Sequence, residues 1–177
     1  MAVEQPILCM YVEDLGFPKP VLEKYIRDPQ EARDALRKGG LPILAEVIIK
    51  NWACHYFKRD MIVNSTSNHF GFDVRSVDGE ITIEVKTAWV ADHDKYASFL
   101  KIKQKKNADG SYAFSHIAFY SPFLGEDSIF LFNAQQFEEV EVLKKTNIKI
   151  DINEGWQHGP AHNNTIAFEK VRKKLLP

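Results

Sequence analysis

The sequence predicts one mixed α/β domain, a central mixed sheet flanked by helices, and three observations carry that reading. A chain of 177 residues suits a single domain. Hydrophobic residues make up 45% and charged residues 27%, enough apolar surface to build one core. Segments with apolar residues at three- and four-residue spacing alternate with segments of strict two-residue alternation. No internal repeat, Gly/Ser-rich linker or low-complexity block divides the chain, so residues 1–177 are read as one unit.

Along the chain, Gly16, Pro18 and Pro20 make residues 11–20 irregular, ahead of a short helix over 21–27. Gly39-Gly40 then punctuates the chain. Leu44, Ala45, Ile48, Ile49, Trp52 and Ala53 recur on one face of a helix over 41–57, with Glu46 and Lys50 at the border of that stripe. Met61-Ile62-Val63 is an edge strand, and the polar residues 64–68 form a loop. Residues 72–75 and 81–86 both alternate apolar with polar, and Asp78-Gly79 between them is a two-residue hairpin signal. Further on, a helix is expected over 94–106, closed by a turn at Asn107-Ala108-Asp109-Gly110. Strands follow over 114–120 and 128–132, a helix over 134–145, a strand over 148–152, a polar loop over 153–165 and a terminal helix over 166–176.

Composition excludes more than it proposes. Lysine plus arginine total 23 and aspartate plus glutamate 24, a net charge of -1 that advertises neither nucleic acid nor a basic partner. The two cysteines, Cys9 and Cys54, lack CxxC spacing, which argues against a disulfide framework or a zinc knuckle. The apolar runs fall far short of the roughly 20 residues of a membrane span. With Glu4 early and no basic-then-apolar leader, a cytoplasmic location is expected.

The hairpin carries the chemistry. With Asp78-Gly79 as its loop, Val77 faces Glu80, Arg75 faces Thr82 and Asp73 faces Glu84. Phe72 and Val74 then join Ile81, Ile83 and Val85 on the core side, while Asp73, Glu84 and Lys86 project from the other face. Like charges directly opposite each other are destabilising, so a neutralising partner is expected, and carboxylate oxygens suit magnesium or manganese. Lys86 adds a cation able to steady a water or a phosphate oxygen.

Asp73, the hairpin turn, then Glu84-Val85-Lys86 on the second strand resembles the PD-(D/E)xK nuclease superfamily, with its restriction-endonuclease-like fold. Glu46, in Leu44-Ala45-Glu46-Val47-Ile48, stands where members of that superfamily often carry a glutamate on the first core helix. The resemblance spans a nuclease core of about residues 40–132 and departs from the motif at Phe72, which replaces the proline. It implies that Asp73, Glu84 and the backbone carbonyl of Val85 bind Mg2+, with Mn2+ able to substitute, and that Lys86 positions or activates the attacking water. Glu46 would hold a second metal or an outer-shell water.

The function so implied is Mg2+-dependent hydrolysis of DNA phosphodiester bonds, first as a type II restriction-like endonuclease acting as a homodimer. The rival readings are a Holliday-junction or other structure-specific resolvase, and a non-catalytic DNA-binding module that retains the nuclease fold. Lys101, Lys103 and Lys105, with Lys106 and the basic terminal helix, are the expected phosphate contacts, against the plainer reading of a solvated helix face. Trp89, Tyr96 and Trp156 are read as packing residues. His158 and His162 lie in a Gly/Pro/Asn-rich loop and lack helix-borne zinc spacing. No phosphate loop or Gly-x-Ser-x-Gly elbow is present.

Overall fold

The computed structural model describes residues 28–64, 71–88, 91–92, 96–99, 106–121, 129–139 and 148–151. The elements expected over 11–20, 21–27 and 153–176 lie outside the described residues. Those within them form a mixed α/β fold: helices α1 (Pro29–Gly39) and α2 (Leu41–Phe57), strands β1 (Met61–Val63), β2 (Val74–Ser76), β3 (Thr82–Thr87), β4 (Ala91–Asp92), β5 (Tyr96–Phe99), β6 (His116–Tyr120) and β7 (Ile129–Asn133), then α3 (Ala134–Glu139) and β8 (Ile148–Asp151). Among the described residues no helix is long and apolar enough to cross a membrane.

Helix α1 is an addition to the sequence reading, although its signals are local. Asp28 caps it by accepting the Gln30 amide at 2.8 Å, Pro29 fits the first turn, Glu31 stands early and Arg37 and Lys38 late. Gly40, at φ 70°, ends α1 by donating its amide to Leu36 O at 3.0 Å and starts α2 by accepting the Leu44 amide at 3.1 Å. The two helices therefore turn back on each other within one residue. Ala32 and Leu36 of α1 meet α2 in a core that gathers Leu44, Ala45, Ile48, Ile49 and Ala53 against Val74, Ile83, Ala118, Tyr120 and Leu131 of the sheet. Each buried Leu or Ile there contributes roughly 1.5–3 kcal/mol.

That sheet has the order β1-β2-β3-β6-β7, with β3 parallel to β6 and every other pairing antiparallel. The hairpin register is as read from the sequence at Arg75↔Thr82, and Val74↔Ile83 continues it. Its tip differs. The Ser76 carbonyl accepts the Gly79 amide at 3.0 Å, the Ser76 hydroxyl takes the Ile81 amide at 3.0 Å, and the Val77 amide turns to Asp60 O at 3.0 Å instead of pairing with Glu80. A serine hydroxyl able to replace a backbone partner thus lengthens the expected two-residue loop. Arg59, just past α2, holds the tip through Asp78 at 2.6 Å and Glu80 at 2.5 Å.

The opposite face of the sheet is also covered. Phe119 meets Phe132 edge-on at 5.9 Å and Phe99 of β5 at 5.4 Å, so the smaller sheet β4-β5-β8 reaches this face through Phe99. Here the expected helix over 94–106 is corrected: its described residues are strand β5, paired antiparallel with β4 and β8, and Lys106, in an isolated bridge. Burial of Phe99 against a partner twenty residues away outweighs a local helical pattern. The turn at 107–110 is present, closed by the Gly110 amide on Asn107 O at 3.0 Å, but it is spanned by the isolated bridge Lys106↔Tyr112 and does not close a helix. The helix expected over 134–145 is described only as Ala134–Glu139, where Phe137 is fully buried beside Phe114 and Tyr112.

Candidate active site

Strands β2 and β3 part at Asp73. Its carbonyl still accepts the Asn64 amide of the β1 side at 2.8 Å, but its own amide goes to Ile83 O at 2.9 Å, the oxygen opposite Val74, in the manner of a bulge. The Asp73–Glu84 pairing expected from the hairpin is therefore corrected: the ladder stops at Val74↔Ile83. What replaces it is a side-chain bond. Asp73 Oδ2 accepts the Val85 amide at 2.7 Å, so the carboxylate occupies the place in which a further residue of β2 would have paired. A charged acceptor on a backbone amide is among the stronger hydrogen bonds.

Glu84 and Lys86 flank Val85 on β3. Val85 packs against the core with Ile81 and Ile83, and alternation sends Glu84 and Lys86 to the face that Ile117 and Phe119 of β6 share. Both are largely covered, with side-chain exposures of 15% and 18%, and Lys86 Nζ donates to Glu84 Oε1 at 2.6 Å. The neutralising partner that the sequence called for is thus present in part within the chain, as an ammonium on Glu84 and a backbone amide on Asp73.

Glu46 comes from the second turn of α2 and is half-buried. Burial pushes its pKa up to about 7, and the negative charges of Asp73 and then Glu84 push the same way, while Lys38 opposes them. The three acids singled out by sequence are therefore within electrostatic reach of one another. Among the described residues no three His, Cys, Asp or Glu side chains stand close enough to form a metal shell by themselves. Lys101, Lys103 and Lys105 lie outside the described residues.

Sequence reasoning missed several supporting residues. Ser115 exchanges bonds with Thr82 at the start of β3, its amide and hydroxyl each 2.9 Å from Thr82 Oγ1 and O, and this ties β3 to β6. Gly71 is buried at φ 95°, against Ala113. Lys38 had a visible signal as the last-turn cation before Gly39-Gly40. His116 is a packing residue: burial holds its pKa below the usual range, Phe57 meets it edge-on at 5.1 Å, and its Nδ1 is 2.9 Å from Ser115 Oγ.

No protein-family model matches the chain, and no curated protein matches it. Among solved structures, that of a bacterial homing endonuclease is similar at 11% identity and a TM-score of 0.40, over 81% of this chain and 93% of that one.

Proposed function

We propose that this chain is a metal-dependent DNA endonuclease whose active site is the splay between β2 and β3. The observation that carries the reading is the Asp73 carboxylate bound to the amide of Val85, which brings the acid of one strand against the Glu84-Val85-Lys86 segment of the next. A strand residue directs its N–H and C=O to the same edge, so the Val85 carbonyl opens on the same splay as Asp73.

The donor set fits a hard cation. Two carboxylates, Asp73 and Glu84, with one backbone oxygen are the partial shell that magnesium takes when waters and phosphate oxygens supply the rest. Asp73, Glu84 and the Val85 carbonyl would hold Mg2+, with Mn2+ as a substitute. When bound, such an ion polarises a phosphoryl oxygen and eases deprotonation of water. The chain's own groups do the remainder. The Val85 amide fixes the Asp73 carboxylate, and Lys86 orients a water for in-line attack and balances the charge of Glu84. Glu46, whose pKa is raised to about 7 by burial and by the charges of Asp73 and Glu84, would accept a proton from that water or steady an outer-shell water.

Restriction-like cutting is the reading we favour, with two copies supplying one site per strand as a homodimer. The test is incubation of supercoiled plasmid with the protein in magnesium, manganese and chelator, beside Lys86→Ala. Discrete linear products lost in chelator and in the variant are expected. Cutting confined to four-way junctions would move the assignment to a resolvase. Duplex binding that persists in chelator, with no cleavage of any DNA and no metal binding by calorimetry, would leave a non-catalytic DNA-binding module.

A further inference from the structure

Helices α1 and α2 lie antiparallel, and one ion pair sets their register: Lys50 of α2 donates to Glu31 of α1. Lys38 is seven residues beyond Glu31, two helical turns to within about 20°, and so continues the same stripe of α1. Glu46 is one turn before Lys50 on α2. Because the helices run in opposite directions, the register that pairs Glu31 with Lys50 sets Lys38 level with Ile43, one turn of α2 before Glu46, as the approach of Gly39 to Ile43 also shows. Among the described residues, the charge of Lys38 lowers the pKa of Glu46 while those of Asp73 and Glu84 raise it.

Lys38 is itself exposed, as is Arg37 beside it. A solvated ion pair contributes little to a fold, whereas an exposed ammonium within electrostatic reach of an acidic cluster can hold an anion that the acids cannot. Asp73, Glu84 and the partly protonated Glu46 face only Lys86, which is already paired with Glu84, so the acids by themselves attract no phosphodiester without a divalent cation. A cation standing outside the acids would seat the neighbouring phosphates.

We propose that Lys38, with Arg37 beside it, is a DNA-backbone contact that seats the phosphodiester across the Asp73–Glu84–Glu46 cluster. This rests on the endonuclease reading. Phosphate contacts fix register without reading sequence, so the contribution of Lys38 is equal for every duplex.

The test is anisotropy of a short labelled DNA duplex in calcium, between about 50 and 200 mM salt, for the wild type, Lys38→Ala, Lys38→Arg and Lys58→Ala. Lys58 ends α2, about 25 Å of helix away from Gly40 at 1.5 Å per residue. Lys38→Ala is expected to flatten the log–log salt dependence by about one and to raise KM for plasmid more than it lowers kcat. Lys38→Arg restores the slope and Lys58→Ala keeps it. An unchanged slope in Lys38→Ala overturns the inference while leaving the nuclease reading intact if plasmid is still cut. A lower melting temperature with that unchanged slope assigns Lys38 to the helix end and overturns it as well. Wild-type protein that neither binds duplex nor cuts it overturns both.

Discussion

Asp73 Oδ2 sits 2.7 Å from the Val85 amide, so the acid at the end of β2 is held by the strand that carries Glu84 and Lys86. Position and charge can be separated at this residue. Asp73→Asn keeps an oxygen for the Val85 amide, and its stability is expected within about 1 kcal/mol of wild type. Its metal-dependent cleavage is expected to fall by about 100-fold or more, since a ligand charge is worth several kcal/mol in such a site. Asp73→Ala orphans the amide and is expected to cost about 1–3 kcal/mol in denaturant titration. Wild-type cleavage by Asp73→Asn would remove the acid from the chemistry.

Lys86 and Glu84 balance one another behind a largely covered surface. Lys86→Met removes the cation and keeps the apolar stem, leaving the Glu84 carboxylate uncompensated. We expect a stability loss of roughly 1–3 kcal/mol, below the figure for a fully buried pair, and cleavage lower by about 10²–10⁴-fold. Magnesium should shrink the stability loss, because a bound cation takes over the balance. Thermal melts with and without magnesium measure this, and a deficit indifferent to the metal would argue against an ion at Glu84.

How far the sequence could go is visible in these residues. Alternation placed Glu84 and Lys86 on one face, and the Asp78-Gly79 signal set the Arg75↔Thr82 register, because both depend on neighbours in the chain. The position of Asp73 was not legible. Its departure from the ladder depends on a side chain competing with backbone for the Val85 amide, a contest that no periodicity records. The same holds for strand β5, whose Phe99 is fixed by Phe119 of another sheet, and for Lys38, whose meaning depends on the register of two packed helices.

Glu46 makes stability depend on pH in a stated direction. Its folded pKa, about 7, lies above the unfolded value of 4.5, so the folded chain binds the extra proton between them. Stability from this group is present below about pH 4.5 and is lost as pH rises through about 7. Because the carboxyl is partly solvated, we take the loss as about 1–2 kcal/mol. Glu46→Gln, neutral throughout, should remove that slope and be the more stable protein at pH 8 without metal. Parallel denaturation curves for the two proteins from pH 5 to 8 would contradict the raised pKa.

Gly71 precedes Asp73 by two residues, and its backbone and surroundings are tightly constrained. A Cβ there would stand 2.1 Å from the Cβ of Ala113, and the φ of 95° is one that side chains rarely adopt. Gly71→Ala therefore carries two separable costs, a clash with the 106–114 turn region and a backbone strain of about 1–2 kcal/mol. Together they are expected to exceed about 3 kcal/mol, with cleavage reduced because the chain leading into Asp73 must shift. Gly71→Ala combined with Ala113→Gly removes the clash but not the strain, so it should recover more than half of the loss. The coupling between the two positions is read from a double-mutant cycle. Additive losses would mean that the strain alone, and not the contact with Ala113, makes glycine necessary ahead of Asp73.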